Sequence, residues 1–367
     1  MKTSKELFGK TAGGEEIWRY RLENEAGVAA TFLNLGAIWE KMLVPGKDGE
    51  VADVILGFDD LPSYETNIPH FGSPVGRHAN RIGGASFELN GKTYELAKTQ
   101  AGVNNIHSGP NLYHTRVWNG ELDEANATVT FHLLSPDGDQ GFPGNLDIAI
   151  SYTLTEDSEV KIHYYAVPDQ DTIVNFTNHC YFNLAGQNHP EKAMDQMVEI
   201  ESDYFTPADA TGIPTGEIRA VDGTPMDFRT PKTVARDISE DYEPLHQGNG
   251  YDHNWLIRGE EGTLRLAAIC TDPDSGRQME VYTDQPAMQF YTFNMTKERE
   301  ESLPAGKDGT HYTFRSACCF ETHRTPDAIH QPKFGTPVVK KGEAYDSVTV
   351  YKFGVKKQKQ KKTIQKH

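Results

Sequence analysis

Leu146-Asp-Ile-Ala-Ile-Ser-Tyr-Thr-Leu154 has a large apolar residue at every second position, the pattern of a half-buried β-strand. Thr128-Val-Thr-Phe-His-Leu-Leu134 precedes it and Val160-Lys-Ile-His-Tyr-Tyr-Ala-Val167 follows it, with the same alternation. The segments between them, 135–144 and 155–158, are rich in Gly, Pro, Asp and Ser, which suit turns. The sequence therefore predicts consecutive antiparallel strands.

The same pattern recurs along the chain. Further predicted strands are 16–22, 29–33, 85–89, 93–96, 264–271, 278–283, 288–293 and 347–353, and short helical turns are predicted at 59–65, 233–238 and 296–301. No long amphipathic helix and no Pro/Ser-rich linker divides the chain. We therefore predict an all-β fold, a large antiparallel β-sandwich formed by one domain over residues 1–355, with long loops at 186–201 and 230–251.

Charge separates the body of the chain from its end. The 367 residues carry a formal net charge of −17, but residues 356–367 contain six lysines and no carboxylate. Removing those six lysines leaves −23 for residues 1–355, so we expect no nucleic-acid partner. The basic end is typical of a disordered solvated tail, with a targeting or docking role as the alternative.

Cysteine content and hydropathy favour a cytoplasmic protein. Four cysteines in 367 residues are too few for a disulfide framework. The N-terminus lacks the apolar core of a secretory signal, and no segment has 18 uninterrupted apolar residues, so we expect no membrane partner.

Several motifs that would identify other enzyme classes are missing. The sequence has no Gly-x-Gly-x-x-Gly after a strand, no Gly-x-x-x-x-Gly-Lys-Ser/Thr phosphate-binding loop and no Gly-x-Ser-x-Gly. Its 14 histidines do not fall at metal-ligand spacing with carboxylates or cysteines. We therefore expect neither a cofactor nor a metal.

Two polar clusters stand in glycine-rich segments. In 72–84, Arg77 and Arg81 could present their guanidinium groups to a polyhydroxylated ligand, or could be structural salt-bridged arginines. In 102–110, His107 follows two asparagines and is either a ligand contact or an exposed loop histidine.

A third cluster lies in Val174-Asn-Phe-Thr-Asn-His-Cys-Tyr-Phe-Asn-Leu184. In an extended strand one face would carry polar residues, backed by an almost wholly apolar face; those polar residues are Asn175, Thr177, His179, Tyr181 and Asn183. Such a polar stripe favours a binding cleft.

The fourth cluster contains Glu321, which ends the apolar run 317–320. A partly desolvated carboxylate has a raised pKa, as a general base near neutral pH needs, whereas a helix cap or a salt bridge is the structural alternative. Asp252 and Gln289 are two lesser candidates.

Taken together, these segments resemble the aldose 1-epimerase (galactose mutarotase) family. The resemblance rests on seven motifs in order: 76–82, Asn105-Ile-His107-Ser-Gly109, Thr177-Asn-His179-Cys-Tyr181-Phe-Asn183-Leu-Ala-Gly186, Tyr251-Asp252-His253-Asn254, Gln289-Phe-Tyr291-Thr-Phe-Asn294, Phe320-Glu321-Thr322 and Pro326-Asp327-Ala328. It implies a mutarotase that interconverts the α and β anomers of free aldohexoses such as glucose and galactose, on a β-sandwich with an open sugar cleft.

The resemblance also implies the role of each site residue. His179 corresponds to the general acid and Glu321 to the general base, and six residues match sugar-binding positions: Asn80, Arg81, His107, Tyr181, Asp252 and Gln289. The assignment requires a protonated His179 near neutral pH, and we expect Asp252 to raise its pKa. The expected partner is a small sugar, and the expected assembly is a monomer or a weak homodimer.

Some positions depart from the family pattern. Phe293 stands where glycine is common, Thr322-His323-Arg324 replaces a segment with a common Gln, and Ile106 and Ser108 flank His107 where Leu and Gly are usual. These differences concern sugar preference, so two alternatives stay open: an epimerase for hexose 6-phosphates and a non-catalytic sugar-binding protein on the same scaffold.

Overall fold

The computed structural model describes residues 1–356, and strands dominate it. The strands of the first half are β1 (Lys2–Lys10), β2 (Glu16–Glu23), β3 (Ala29–Leu33), β4 (Ile38–Pro45), β5 (Val51–Asp53), β6 (Pro74–Val75), β7 (Arg81–Ile82), β8 (Ser86–Leu89), β9 (Lys92–Glu95), β10 (Asn105–Ile106), β11 (Asn119–Asp123), β12 (Thr128–Ser135), β13 (Leu146–Leu154), β14 (Glu159–Pro168), β15 (Thr172–Ile173) and β16 (Thr177–Asn178).

The second half continues with short strands and ends in a long one. Its strands are β17 (Met197–Ile200), β18 (Tyr204–Thr206), β19 (Arg219–Ala220), β20 (Lys232–Thr233), β21 (Asp252–Leu256), β22 (Arg265–Thr271), β23 (Arg277–Thr283), β24 (Ala287–Tyr291), β25 (Cys319–His323), β26 (Val338–Val339) and β27 (Tyr345–Val355). Within residues 1–356 the α-helices are α1 (Leu61–Thr66), α2 (Glu243–Gly248) and α3 (Lys297–Ser302), each of six residues.

Three larger sheets form the body. A nine-stranded sheet has the order β11-β12-β13-β14-β27-β23-β22-β17-β20, and two five-stranded sheets have the orders β1-β2-β3-β4-β5 and β19-β18-β21-β24-β25. Phe32 of β3 stacks on Tyr152 of β13 with ring centroids 4.4 Å apart, and the Tyr351 hydroxyl of β27 donates to the Phe320 carbonyl of β25. The smaller sheets thus pack on the large one, and the predicted all-β sandwich is confirmed.

The alternation in the sequence is the cause of this packing. In β13 the residues from Leu146 to Leu154 alternate between buried and solvent-facing, and the buried side chains join the largest core cluster. Because successive strand residues point to opposite faces, this pattern gives the sheet one apolar face. The predicted strands occur within a few residues of their expected bounds.

Some elements differ from the prediction. Strands β1 and β4 were not predicted, and α2 lies inside the expected loop 230–251. The predicted turns at 59–65 and 296–301 are helices α1 and α3, whereas the one at 233–238 is a 3₁₀ turn over Val234–Arg236. The expectation for the tail 356–367 lies outside the described residues, apart from Lys356.

Register in the sheet that contains β21, β24 and β25 positions the functional residues. Gln289 of β24 stands opposite Glu321 of β25, and Asp252 of β21 stands opposite Tyr291 of β24. Residues far apart in sequence therefore meet at one end of this sheet. Among residues 1–356, no helix has the length and apolar character that crossing a membrane requires.

Candidate active site

His179 and Glu321 form the centre of the site. His179 Nε2 lies 3.7 Å from Glu321 Oε1, and the two side chains are only 6% and 3% exposed. Glu321 Oε2 is buried and has no hydrogen-bond partner within the described residues. A buried carboxylate oxygen without a partner is costly, so this oxygen is suited to accept a hydrogen bond from a bound molecule.

The backbone around His179 is fixed by the short strand pair β16–β6. His179 N donates to the Ser73 carbonyl, and the His179 carbonyl accepts from Gly72 N. The Tyr181 ring stacks on the His179 ring at 4.9 Å, and the Tyr181 hydroxyl donates to the Pro69 carbonyl. Tyr181 therefore supports the imidazole with its ring while its hydroxyl is already engaged.

The prediction of one continuous polar stripe over 175–183 is wrong. Only Thr177–Asn178 is strand, and the flanking asparagines serve the backbone: Asn175 Oδ1 accepts from Arg324 N, and Asn183 Nδ2 donates to the His189 carbonyl. These two amides thus bond neighbouring loops instead of facing a cleft. His179 and Tyr181 keep the side-by-side arrangement that alternation predicts.

A chain of hydrogen bonds joins the predicted sugar-binding residues. Asn80 N donates to His107 Nδ1 at 3.2 Å, and Asn80 Oδ1 accepts from Arg81 N at 2.9 Å. Arg81 Nη2 donates to Asp252 Oδ2 at 3.0 Å, and Asp252 Oδ1 accepts from Gln289 Nε2 at 2.6 Å. Strands β7 and β10 and the sheet end bring these residues together as predicted.

We call these five residues, together with the His179–Glu321 pair, the polar cluster. Within it the side chains of Asp252 and Arg81 are 21% and 13% exposed, more than those of the pair. The opening to solvent therefore lies on the side of Arg81 and Asp252.

His107 is buried rather than the exposed loop histidine of the structural alternative. It is 7% exposed, and burial together with the neighbouring His179 lowers its pKa well below the usual value, so the ring is neutral. Since Nδ1 accepts the Asn80 N–H, the proton lies on Nε2. His107 is thus a hydrogen-bond donor.

Burial sets the protonation of the pair. It lowers the pKa of His179 to about 4, although a backbone hydrogen bond and the charge of Asp252 oppose the shift. Burial and then the charge of Asp252 raise the pKa of Glu321 well above its usual value. The charge of Asp252 therefore raises the pKa of His179 as expected, but desolvation outweighs it and the net pKa lies below the usual value.

Asp252 itself stays ionised. Burial alone would raise its pKa, but the Arg81 charge and the Gln289 hydrogen bond outweigh burial, so the pKa is lowered. It is the fixed negative charge of the polar cluster.

Arg77 takes the structural role left open for it. It is fully buried, and its guanidinium donates to backbone carbonyls and hydroxyls; its acceptors are Ser135, Pro136, Pro143, Gly144 and Thr172. Arg77 therefore ties loops together and does not reach the polar cluster.

The structure brings together one group of metal-ligand type that the sequence spacing did not indicate. Ligand atoms of His179, Cys319 and Glu321 lie within 4.8 Å of one another. Cys319 Sγ lies 3.7 Å from His179 Nδ1, whereas Glu321 Oε1 lies 3.7 Å from His179 Nε2. The thiol and the carboxylate thus face different ring nitrogens, an arrangement that favours a separate contact at each nitrogen over one shared ion.

A profile of the aldose 1-epimerase family matches residues 19–352. The chain belongs to the aldose 1-epimerase family. Galactose mutarotase from Bos taurus is 38% identical over 97% of this chain and 99% of its own, and aldose 1-epimerase from Escherichia coli is 34% identical over 90% and 94%. The chain is accordingly an isomerase of the mutarotase type.

Solved structures show the same fold. A galactose 1-epimerase from Lactobacillus acidophilus superposes with a TM-score of 0.82 at 26% identity, covering 97% of this chain and 99% of that one. An aldose epimerase homologue from C. elegans has a TM-score of 0.82 at 27% identity, covering 92% and 98%.

Sequence reasoning missed His70, which the fold places beside the polar cluster. Its ring centroid lies 5.2 Å from that of His107 and 5.8 Å from that of His179. A single histidine between Pro69 and Phe71 carries no motif, and only the loop after α1 brings it here.

Proposed function

We propose that this aldose 1-epimerase interconverts the α and β anomers of free aldohexoses such as galactose and glucose, with Glu321 as general base and His179 as general acid. The observation that carries the proposal is the 3.7 Å separation of His179 Nε2 and Glu321 Oε1, next to the buried Glu321 Oε2, which has no hydrogen-bond partner in the described part of the chain. The names of the relatives, galactose mutarotase and aldose 1-epimerase, support this substrate class.

The reaction needs one proton removed and one delivered. Glu321 takes the proton from the C1 hydroxyl while His179 protonates the ring oxygen O5, so the C1–O5 bond breaks and an open-chain aldehyde forms. After rotation about C1–C2, the hydroxyl formed from O5 attacks the other face of C1, and both protons return. No electron or phosphate is transferred, so this chemistry requires no cofactor.

The pair must share a single proton. Buried neutral His179 and protonated Glu321 hold one proton between them, and the working form moves it from the carboxyl to the imidazole. The charge of Asp252 raises the pKa of both groups, so it strengthens the hold of the pair on this proton. Since the two groups are coupled, the titrations belong to the pair rather than to either residue.

The remaining residues of the polar cluster hold the sugar. His107 offers its Nε2–H, Arg81 its guanidinium and Asp252 its carboxylate to sugar hydroxyls. Gln289 Oε1, which has no hydrogen-bond partner within residues 1–356, is a further acceptor. Asn80 orients both His107 and Arg81 through its backbone and amide. Tyr181 contributes its ring beside the imidazole.

The broader expectations remain proposals. We propose one domain over residues 1–355, since the largest core cluster includes residues from Tyr20 to Phe353. A cytoplasmic location fits the four buried free cysteines: Cys180, Cys270, Cys318 and Cys319. A monomer or weak homodimer fits a polar cluster drawn from one chain, with a neutral sugar as partner.

The two alternative functions make different predictions. A hexose-6-phosphate epimerase would need a basic group free to bind phosphate, whereas Arg81 and Arg324 are paired with Asp252 and Glu261. A non-catalytic sugar-binding protein would not need the His179–Glu321 pair.

Polarimetry on freshly dissolved α-galactose and α-glucose tests the proposal. We expect Glu321→Gln to lower the mutarotation rate by about 10² to 10⁴, while the exposed control Glu343→Gln matches the wild type. A near wild-type rate for Glu321→Gln would contradict the base assignment. Preference for α-glucose 6-phosphate would favour the phosphate alternative, and sugar binding without turnover in the wild type would favour the non-catalytic one.

A further inference from the structure

His70 belongs to a group of three neighbouring histidine rings that also contains His107 and the proposed acid, His179. Its ring centroid is 5.2 Å from His107 and 5.8 Å from His179, and those two are 5.3 Å from each other. His70 is partly exposed, whereas His107 and His179 are 7% and 5% exposed. It therefore stands nearer the solvent than the two residues that the proposed mechanism uses.

The loop around His70 is held in one conformation. His70 has φ +63°, a region that a non-glycine residue keeps only where its surroundings enforce it. His70 N donates to the Asn67 carbonyl, and the Asn67 side chain bonds both the N–H and the carbonyl of Phe71. In the same loop, Gly72 N donates to the His179 carbonyl, so the backbone of the His70 loop is bonded directly to that of His179.

His114 fixes the His70 ring. The two Nδ1 atoms are 3.2 Å apart, so one donates and the other accepts. His114 is 2% exposed, and burial lowers the pKa of both rings, that of His114 to about 4. Both are therefore neutral near pH 7, and His70 keeps Nε2 without a hydrogen-bond partner in the described part of the chain.

We propose that His70 is a further sugar-binding residue, whose Nε2 forms a hydrogen bond to one hydroxyl of the aldose, and that His114 is its positioning residue. The inference rests on the proposed function, because His107 and His179 define the sugar's place. A hydroxyl is both donor and acceptor, so it can pair with Nε2 in either tautomer that the His114 contact selects.

The test combines variants with sugars that lack single hydroxyls. We expect His70→Phe to lower kcat/KM for galactose about 3- to 10-fold, mainly through KM, and His70→Gln to restore part of the loss. With the deoxygalactose that lacks the contacted hydroxyl, wild type and His70→Phe should differ less than twofold. The exposed control His246→Phe should match the wild type on every sugar.

An equal loss on every deoxygalactose would overturn the contact, since a merely structural change affects all sugars alike; no loss on galactose would also overturn it. Failure of the proposed function is seen separately, as an unchanged rate for Glu321→Gln.

The positioning role of His114 has its own test. A trans-hydrogen-bond coupling between ¹⁵N-labelled Nδ1 atoms of the His70 and His114 rings is expected in the wild type. Its absence would overturn the positioning role without requiring a variant to fold.

Discussion

At the scale of single residues, the fixed charge of Asp252 acts on the proposed acid–base pair. It contributes a rise to the pKa of both His179 and Glu321, while Arg81 and Gln289 keep it ionised. In the proposed mechanism one carboxylate thus has two tasks, binding a hydroxyl and setting how firmly the pair holds its proton.

Asp252→Asn should therefore move the pH–rate profile. The active pair carries one proton, so activity falls at low pH when the pair gains a second proton and at high pH when it loses the last. Removing the negative charge lowers both pKa values, and we expect both limbs of kcat/KM against pH to move to lower pH. The exposed control Asp48→Asn should leave the limbs in place. Unmoved limbs in Asp252→Asn would show that its charge does not reach the pair.

At the scale of elements, the loop between α1 and β6 lies between strand β4 and the backbone of His179. Gly72 has φ +65°, its N–H donates to the His179 carbonyl, and a Cβ on it would overlap the Trp39 carbonyl oxygen. No side chain fits there unless this loop moves away from β4.

Gly72→Ala and Gly91→Ala form a matched pair for this loop. Both glycines have positive φ, but a Cβ on Gly91 would meet nothing within 4 Å. We expect Gly91→Ala to cost about 1 kcal/mol of unfolding free energy, the backbone contribution alone. Gly72→Ala should cost at least about 2 kcal/mol more and should also lower kcat. Urea unfolding and polarimetry check both, and equal costs would refute the close approach.

At the scale of the whole molecule, buried neutral histidines make stability depend on pH. Burial lowers the pKa of five of them to about 4; they are His78, His114, His179, His253 and His323. The unfolded chain binds these protons near pH 6.5, so between pH 6.5 and 4 it holds more protons than the folded one. The unfolding free energy therefore falls as pH falls through this window.

His78→Phe isolates the contribution of one buried histidine to the pH dependence of stability, and His78 is not a member of the polar cluster. His78 is fully buried, and both ring nitrogens lack partners within residues 1–356. Its removal should reduce the slope of unfolding free energy against pH, between pH 6 and 4.5, by about 1 kcal/mol per pH unit. Urea titrations at several pH values measure the slope, and an unchanged slope would mean that His78 is not the neutral buried group described here.

The local alternation of apolar and polar residues predicts the strands. The features that it does not predict depend on contacts between residues far apart in sequence. Alternation in β13 is local, so its strand and its buried face follow from sequence. Helix α2 was missed because six residues beginning Glu243-Pro244 show no apolar period. The net pKa of His179 could not be predicted, because the sequence shows the charge of Asp252 but not the burial that outweighs it. His70 was missed because only the folded loop brings it to His107.

Polarimetry on His179→Asn, Glu321→Gln and the double variant tests the central claim most directly. If the two residues work as one acid–base unit, each single variant should lose about 10² to 10⁴ in initial rate on α-galactose, and the double variant should be little slower than the slower single one. A single variant that keeps most of the wild-type rate, with galactose still bound in calorimetry, would contradict the account.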